Sequence, residues 1–471
     1  MSSVSTGQVA VPSQAGPVVA KARRVGRVQA AVDQGLGALP FLLVWMFFEY
    51  YRPPRPFGIP MMTSLALLVS WVLGKKQWLP QTKWLLFLLV VMIAGIPVAD
   101  NQYSAFWTTR EMVIYFLCIC IPLQSLMTTA YRARAWVLTF IVTGALVGLW
   151  GATHGGYGPS GSDGGQDENY VAALMGMTIP FAYFSIFSEK RFLLKVGFSL
   201  AIIFCVAAIA LGDNPSRGGF LGLISVALYC LTRSPKKHIG FLVLAVVGVA
   251  FMLIAGETFW AEIATTTDYT SGTGNARLEI WKAGFRMWMS NPLIGVGPGN
   301  FRWVIGDYQS AEQFIKFGRS LAGSIIAHSS HVEMVAETGT LGLIATAAMT
   351  WRTWTDLGKV RDAIPKPVKG VPLDPDLVRI RCYADAIRAA IIAILVNGTF
   401  LSLYYYSHLW VLIALGSAFP LVLRSKIPAL QKAAPVRRRP SRMHTAAPSP
   451  RPVVAMRPGF GGPVRRPGSP S

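Results

Sequence analysis

The sequence predicts an all-α protein that crosses a membrane about twelve times. Of its 471 residues, 52% are hydrophobic and only 14% are charged, which is far from the composition of a soluble globular domain. Apolar runs of about 14 to 20 residues recur along most of the chain, long enough to cross a hydrocarbon layer as packed helices. Lysine and arginine collect in every second loop. Together these observations predict a polytopic bundle of membrane helices.

The predicted helices follow one another through short connections, except for one long loop between the ninth and the tenth. In chain order they lie near Leu36–Tyr50, Met61–Gly74, Trp84–Ala99, Glu111–Met127, Ala135–Ala152, Tyr170–Phe187, Leu193–Leu211, Gly218–Thr232, Ile239–Gly256, His331–Trp351, Ala384–Leu401 and Leu403–Leu423.

The loops between these helices alternate in charge. The segments "GKKQWLPQTK", "YRAR", "SEKR" and "TRSPKK" and the stretch from Arg352 to Arg381 are basic, whereas "ADNQYSAFW" and "GDNPS" carry no lysine or arginine. Because cytoplasmic loops are rich in these residues, both ends of the chain are predicted to be cytoplasmic. The loop "YRPPRPFGIP" departs from the rule, since it places Arg52 and Arg55 on the other side.

Basic tails flank the predicted membrane domain of residues 30–430. Residues 1–29 and 431–471 are rich in Ser, Gly, Pro and Arg, so they cannot bury enough apolar area to fold and are expected to be disordered and cytoplasmic. They supply much of the net charge of +22. Such tails are expected to contact anionic membrane lipids. Nucleic-acid binding is the less favoured alternative, and no nucleic-acid partner is expected.

The long loop, residues 257–330, faces outward in this topology and has the length of a functional loop. Within it, apolar residues at Leu278, Trp281, Phe285 and Trp288 recur at helical spacing. They predict an amphipathic helix on the membrane surface. Several cations share this loop and so also face outward: Arg277, Lys282, Arg286, Arg302, Lys316 and Arg319.

A further outward cation, Arg217, begins a predicted helix in "GDNPSRGGFLGL". The backbone N–H groups of a helix N-terminus favour an anion, and a guanidinium beside them can hold phosphate in a bidentate fork. The alternative is an arginine that reaches toward a lipid headgroup. The residues alone leave both interpretations open.

The stretch "IAHSSHVEMVAET" brings titratable side chains to the start of a membrane helix. Ser330 and Glu333 fit a capping box, with Ser330 as the N-cap. His328 then lies just outside the helix and His331 within its first turn. A neutral imidazole at that place can accept a proton near pH 7, while the alternative is an interfacial histidine without chemistry. Glu337 lies deeper in the helix, where an ionisable group is costly unless polar neighbours satisfy it.

Two other patterns favour plain structure. The loop "SGSDGGQDEN" offers Asp163, Asp167 and Glu168 as oxygen ligands for calcium, but it lacks EF-hand spacing and its glycines suit a flexible loop. The cysteines lie mainly in predicted membrane helices and have neither redox nor zinc spacing. No metal, cofactor or structural disulfide is therefore expected.

Three segments in order, "SRGGFLGL", "RLEIWKAGFRMWMSNPLIGVGPGNF" and "AHSSHVEMVAETGTLGL", resemble the O-antigen ligase and polymerase family of bacterial envelopes. The segment "QDENYVAALMGMTIPF" is similar to that family's Asp-Pro-Asn element, with Asp167 and Asn169 matching. Two positions depart from the family pattern. Glu168 replaces a proline, and Ser329 replaces the asparagine that follows the histidine, which places the family histidine on His328.

The resemblance implies a metal-independent transferase in the bacterial inner membrane, with its site facing the periplasm or cell exterior. The implied donor is a glycan on undecaprenyl pyrophosphate, and the acceptor is a hydroxyl of lipid A core, another glycan or a protein. His328 and Arg217 are the implied catalytic residues. The implied substrate-binding residues are Arg277, Arg286, Asp167, Asn169 and His331.

Two other functions compete with a ligase. A polysaccharide polymerase of the same fold would carry the same motifs. A transporter or flippase for the lipid-linked glycan is the less favoured alternative, because transporters usually place charges or broken helices near the membrane midplane. In this sequence the polar residues collect at the outer edge instead.

Overall fold

The computed structural model describes residues 37–54, 57–161, 165–212, 216–257, 259–260, 273–311, 325–366 and 373–428. None of these residues lies in a β-strand, so the all-α prediction is confirmed. The two predicted tails, residues 1–29 and 431–471, lie outside the described residues, as do Lys316 and Arg319 of the long loop.

The helices in chain order are α1 Leu39–Tyr51, α2 Ile59–Leu73, α3 Pro80–Gly95, α4 Gln102–Leu126, α5 Ala130–Thr153, α6 Glu168–Ser188, α7 Phe192–Ala210, α8 Arg217–Arg233, α9 Lys237–Ile254, α10 Thr273–Ser290, the short α11 Phe301–Val304, α12 Ser330–Ala363, α13 Pro375–Asn397 and α14 Ser407–Arg424.

Every predicted apolar segment coincides with one of these helices. Within the described ranges, α4, α5, α6, α7, α9, α12 and α14 are long and apolar enough to cross a membrane, and α1, α2 and α3 are shorter apolar helices. The chain is therefore a polytopic membrane protein. The exact number of crossings and their direction stay predictions.

Helices α6 and α13 form the centre of the bundle. Nearly every residue of α6 is buried, and it packs against α5, α7, α8 and α13, as expected for a helix that is apolar on all sides. Helix α8 approaches α6 and α13 closely because it has glycines where it crosses them. A β-carbon at Gly219 would lie 2.4 Å from that of Ala172 on α6, and one at Gly222 would lie 2.5 Å from Nδ2 of Asn397 on α13.

Helix α12 is broken at Gly339, and the chain after α10 fills the break. Gly339 has φ +63° and ψ −164°, which only glycine adopts readily. Two amides beyond the break, those of Thr340 and Leu341, donate to the carbonyls of Pro292 and Leu293 at 2.8 and 3.1 Å. On the other side, the amide of Val296 donates to Ala336 O at 2.9 Å. The inserted loop thus satisfies backbone groups that a broken helix would leave unpaired.

The predicted amphipathic helix is confirmed as α10, and the face that it packs against the protein differs from the predicted apolar stripe. Ile280, Ala283 and Met287 are buried, whereas Leu278 and Phe285 are 42% and 48% exposed. Helix α10 packs closely against α12, and such an approach places a small residue at the contact. The exposed apolar side chains remain on the opposite face, which suits the membrane-surface position that the sequence predicts.

The direction of the chain across the membrane is open to a labelling test. We expect a cysteine at Lys236, between α8 and α9, to react only with a reagent that enters the cytoplasm. A cysteine at Ser162, outside the described residues, should react with an impermeant reagent added outside. Each of these cysteines is introduced alone into a variant whose native cysteines are replaced. The reverse pattern of labelling would invert the topology.

Candidate active site

His328 is held between two anchored neighbours in the loop that precedes α12. The carbonyl of Ala327 accepts a hydrogen bond at 3.0 Å from Trp281 Nε1 of α10, and Ser329 Oγ accepts one at 3.4 Å from the amide of Val332. His328 itself has φ +46°, in the left-handed region. This conformation costs a non-glycine residue roughly 1–2 kcal/mol and is enriched at active sites. The loop therefore fixes a half-buried imidazole at the start of the helix.

The predicted capping box at this helix start is wrong by one residue. Ser329 is the N-cap, with an extended backbone of φ −160° and ψ 116°. Ser330 is already helical, and its hydroxyl donates to Leu401 O at 2.6 Å and accepts from the amide of Leu403 at 2.7 Å. Ser330 is thus occupied by the connection between α13 and α14, the linker of residues 398–406. Glu333 consequently lies outside the capping position, buried among its neighbours.

Glu337 holds three segments together. It is 2% exposed, and its carboxylate accepts hydrogen bonds from the amides of Gly299 at 2.6 Å and Phe301 at 2.7 Å. The hydroxyl of Tyr405 in the linker donates to the same carboxylate. The sequence leaves open which polar groups satisfy Glu337. The structure shows that they belong to the inserted loop and to the linker. These bonds indicate a structural role for Glu337.

Replacing Glu337 with alanine should destabilise the fold by about 3–5 kcal/mol, because it removes the buried acceptor of the Gly299 and Phe301 amides and of the Tyr405 hydroxyl. The loss is measured as the fall in the denaturation midpoint of the protein in detergent. The matched control is Asp362→Ala, since Asp362 is exposed and pairs only at the surface. An unchanged midpoint for Glu337→Ala would show that these bonds do not support the fold.

Arg277 and Asp167 determine the electrostatic environment of His328. Partial burial, and next the positive charge of Arg277, hold the pKa of His328 below its usual value, while Asp167 acts in the opposite direction. Two predicted site residues from distant parts of the sequence thus lie within electrostatic range of the imidazole. With a lowered pKa, His328 is neutral at pH 7 and able to accept a proton.

Arg217 lies on the other side of the linker. It is the first residue of α8, half-buried, after the N-cap Ser216, whose Oγ accepts from the amide of Gly219 at 3.0 Å. A β-carbon at the next residue, Gly218, would lie 3.2 Å from that of Phe400. The ring of Trp281 on α10 lies 6.5 Å from the ring of Phe400, measured between centroids. The linker around Phe400 therefore connects the start of α8 with α10 and with the loop of His328.

Asp167 and Asn169 lie at the start of α6. Asp167 is the N-cap and accepts from the amide of Tyr170 at 2.8 Å, which explains why an acidic residue occurs there. The preceding Gln166 is fully buried and donates to Tyr50 O at 2.8 Å, fixing this loop to the end of α1. Asn169 is half-buried in the first turn. Of the suggested calcium ligands, Asp163 lies outside the described residues.

The other two predicted site residues bind backbone carbonyls. Arg286 Nε donates to Tyr308 O at 2.6 Å, so this part of its side chain holds the turn after α11. His331 Nε2 lies 2.9 Å from Leu395 O of α13, and because a carbonyl only accepts, that nitrogen carries the proton. A role of either residue in binding substrate stays a prediction.

An apolar cavity of about 530 Å³ opens beside His331. It begins at Ser330, His331 and Gly398 and extends between α12 and α13 as far as Trp351 and Trp354. Its lining is almost entirely hydrocarbon, so it suits a lipid chain rather than a polar ligand. The cavity thus connects the end of the bundle that carries His328, the site end, with its membrane interior.

Arg52 is a further residue near the predicted site, and it is not among the site residues predicted from the sequence. This residue follows α1 at φ +47° and forms an ion pair at 3.6 Å with Glu49. Its guanidinium stacks 4.6 Å from the ring of Tyr170 and 5.8 Å from that of Tyr406. Arg52 therefore joins α1 to the starts of α6 and α14 near Asp167. The signal in the sequence was an arginine on the side that is otherwise poor in cations.

Comparison with known proteins gives two matches. Residues 200–347 match the family described as O-Antigen ligase (Wzy_C). The matched range includes Arg217, Arg277 and His328. The exopolysaccharide production protein ExoQ of Rhizobium meliloti (strain 1021) is 26% identical over 197 residues, which cover 35% of this chain and 44% of ExoQ. The match thus spans less than half the length of this relative.

Proposed function

We propose that the protein transfers a glycan from undecaprenyl pyrophosphate to an acceptor hydroxyl, because residues 200–347 match the O-antigen ligase family and lie within a polytopic membrane protein. The family and the relative support a membrane function of glycan ligase or polymerase type. The carrier, the acceptor and a site on the outer face of the inner membrane belong to the proposal. The observation that carries it is a half-buried histidine, His328, that lies within electrostatic range of Arg277 and Asp167 and two residues before the first lining residue of an apolar cavity.

The first step in this proposal is activation of the acceptor. A ring nitrogen of His328 accepts the proton of the acceptor hydroxyl as the hydroxyl oxygen attacks the anomeric carbon of the donor. The bond from that carbon to the pyrophosphate oxygen breaks, and its electron pair leaves with the pyrophosphate. Attack from the opposite side inverts the configuration at the anomeric carbon. His328 then releases its proton to solvent.

The second requirement is to stabilise the leaving pyrophosphate. Guanidinium groups stabilise such charge well when they are fixed before the reaction, and Arg217 and Arg277 lie on elements that meet at the linker. The charge of two arginines would replace that of a metal ion, so the proposed reaction is metal-independent. The apolar cavity beside His331 would accept the first part of the isoprenoid chain.

A ligase and a polymerase are distinguished by their acceptors. Purified protein in sealed proteoliposomes is supplied with a labelled glycan on undecaprenyl pyrophosphate and with either lipid A core, a protein acceptor or a second lipid-linked glycan. A ligase transfers the label to lipid A core or protein, whereas a polymerase lengthens the lipid-linked glycan. Polymerisation is the second candidate because the relative is named for exopolysaccharide production. Label that crosses the bilayer without transfer would favour a flippase instead.

The rate of transfer should remain high to a lower pH than an ordinary histidine would allow. The pKa of His328 is lowered, so the neutral base persists below the usual value of about 6.5 and is lost only as the pH falls through its lowered pKa. The pH–rate profile of wild type is compared with that of Arg277→Gln. Removing this positive charge should move the acid limb to higher pH. An acid limb that does not move would exclude electrostatic coupling between the two residues.

A further inference from the structure

At the end of the bundle opposite His328, arginines from three helices gather around one aspartate. Helix α8 begins at Arg217 and has 17 residues, so its last residue lies about 24 Å farther along the helix axis. That distance approaches the thickness of the hydrocarbon layer, about 30 Å, and places Arg233 near the headgroups of the far leaflet. Arg388 lies nine residues before Asn397, the last residue of α13, so its backbone is about 14 Å from the site end and its side chain leans toward the start of α13 at the far end. The far-end cluster consists of Arg233, Arg361, Arg381, Arg388 and Asp385.

Short contacts connect the members of the far-end cluster. Tyr229 OH donates to Asp385 Oδ1 at 3.4 Å, and the Arg233 guanidinium lies 5.9 Å from the same tyrosine ring. Arg361 Nη1 lies 3.6 Å from Asp385. Arg381 Nη1 donates to the carbonyl of Arg361 at 2.9 Å. These contacts place positive side chains of α8, α12 and α13 around one carboxylate.

The far-end cluster retains positive charge that its carboxylates do not balance. Arg361 forms ion pairs with the two carboxylates beside it, Asp362 at 2.6 Å and Asp385 at 3.6 Å. Arg381 donates to the backbone carbonyls of Arg361 and Ile364 at 2.9 and 2.6 Å, and these carbonyls carry no net charge. The charge of Arg381 and that of Arg388 thus remain without a carboxylate partner among the described residues.

Arg388 shows most clearly what the far-end cluster lacks. It is only 7% exposed, and its Nε has no hydrogen-bond partner among the described residues. Its guanidinium stacks 4.0 Å from the ring of Trp354, which stabilises the cation but accepts no N–H. Gly358 leaves space beside it, because a β-carbon there would lie 3.8 Å from Arg388 Nη1. A buried guanidinium with unused donors is costly unless an anion accepts them.

We propose that the far-end cluster binds the phosphate group of an acidic phospholipid, with Arg388 as its principal donor. A planar guanidinium fork matches phosphate geometry, and basic pockets between membrane helices at this depth bind acidic headgroups. The neighbouring aromatic residues fit an interface position: Tyr229 and Trp354 border the cluster, and Trp351 is 70% exposed one turn away on α12. Trp351 and Trp354 also line the inner end of the apolar cavity, but the far-end cluster lies away from His328 and its proposed role does not depend on the proposed function.

The test uses the full chain in detergent that retains native lipids, measured by native mass spectrometry against phosphatidylglycerol and phosphatidylcholine. Wild type should retain phosphatidylglycerol preferentially, and Arg388→Gln should weaken that preference about tenfold or more. Arg388→Lys keeps the charge without the fork and should give an intermediate result. The matched control is Arg352→Gln, a half-exposed arginine of α12 that already pairs with Asp356. Equal retention by wild type, Arg388→Gln and control would overturn the proposal.

Two further arms identify the anion and protect against a folding artefact. Inorganic phosphate at millimolar concentration should not displace the lipid. If it does, and if the protein shows no selectivity between lipids, the ligand is a free phosphate ion and the lipid assignment is rejected. Asp385→Asn removes the competing carboxylate and should raise retention of phosphatidylglycerol. Because this variant moves binding in the opposite direction from Arg388→Gln, general unfolding cannot produce both results. Weaker retention in Asp385→Asn would contradict the proposal.

Discussion

Replacing His328 with alanine should lower the rate of glycan transfer by about a hundred- to ten-thousand-fold, the usual cost of removing a general base. The protein should still insert and still bind its donor, since the imidazole lies in the loop before α12 and is not one of the buried side chains of the core. The substitution also relieves no left-handed strain, because alanine keeps the β-carbon that causes it. The measurement is single-turnover transfer of labelled glycan, with donor binding recorded separately.

The matched control for this prediction is His331→Ala. His331 lies three residues away but donates to Leu395 O and borders the cavity. Its loss should therefore change the affinity for the lipid-linked donor more than the rate of the bound complex. If His331→Ala is inactive while His328→Ala is near normal, the base must be reassigned to His331.

The two histidines show what a local pattern can resolve. The sequence places His328 at the margin of a membrane helix, and the structure places it there too, near Arg277 and Asp167. The capping residue was misassigned because Ser329 and Ser330 are equally good N-caps by residue type. The choice between them depends on Leu401 and Leu403, some seventy residues later, whose backbone groups occupy the Ser330 hydroxyl. No local pattern contains that contact.

The inserted loop is a second feature that only the structure reveals. The sequence indicates a turn in "NPLIGVGPGNF", and its glycines do take positive φ at Gly295, Gly297 and Gly299. It does not indicate that this turn enters a break in α12, where a glycine at position 339 reads as an ordinary membrane-helix residue. The sequence also does not show what satisfies Glu337, an ionisable group that is costly inside a membrane helix. Its partners, the amides of Gly299 and Phe301, come from that inserted loop.

The apolar stripe of α10 does not identify the face that packs against the protein, for a related physical reason. A hydrophobic stripe predicts which residues prefer to leave water, but membrane lipid accepts Leu278 and Phe285 as well as a protein core does. Packing of α10 against its neighbours therefore depends on shape, and the small Ala283 is fully buried. In a membrane protein, apolar periodicity identifies the helix better than it identifies the packed side.

Replacing Arg217 or Arg277 with alanine should each lower the rate of transfer by about a hundred- to a thousand-fold, the range for losing one fixed donor to a developing negative charge. Arg217 begins α8 beside the linker, and Arg277 lies on α10 within electrostatic range of His328. If both contact one pyrophosphate, the double variant should lose less than the product of the single losses, because the first substitution already misplaces the leaving group.

Lysine substitutions separate charge from geometry at these positions. Arg217→Lys and Arg277→Lys keep the positive charge but lose the planar fork, so transfer should remain well below wild type while weak donor binding returns. Arg302→Lys is the matched control, since Arg302 is an exposed cation of the same long loop as Arg277, 5.2 Å from the ring of Trp303. Its rate should stay near wild type. Full activity in both alanine variants at normal expression would reduce Arg217 and Arg277 to contacts with lipid headgroups, because a leaving pyrophosphate cannot lose two such donors without slowing its departure.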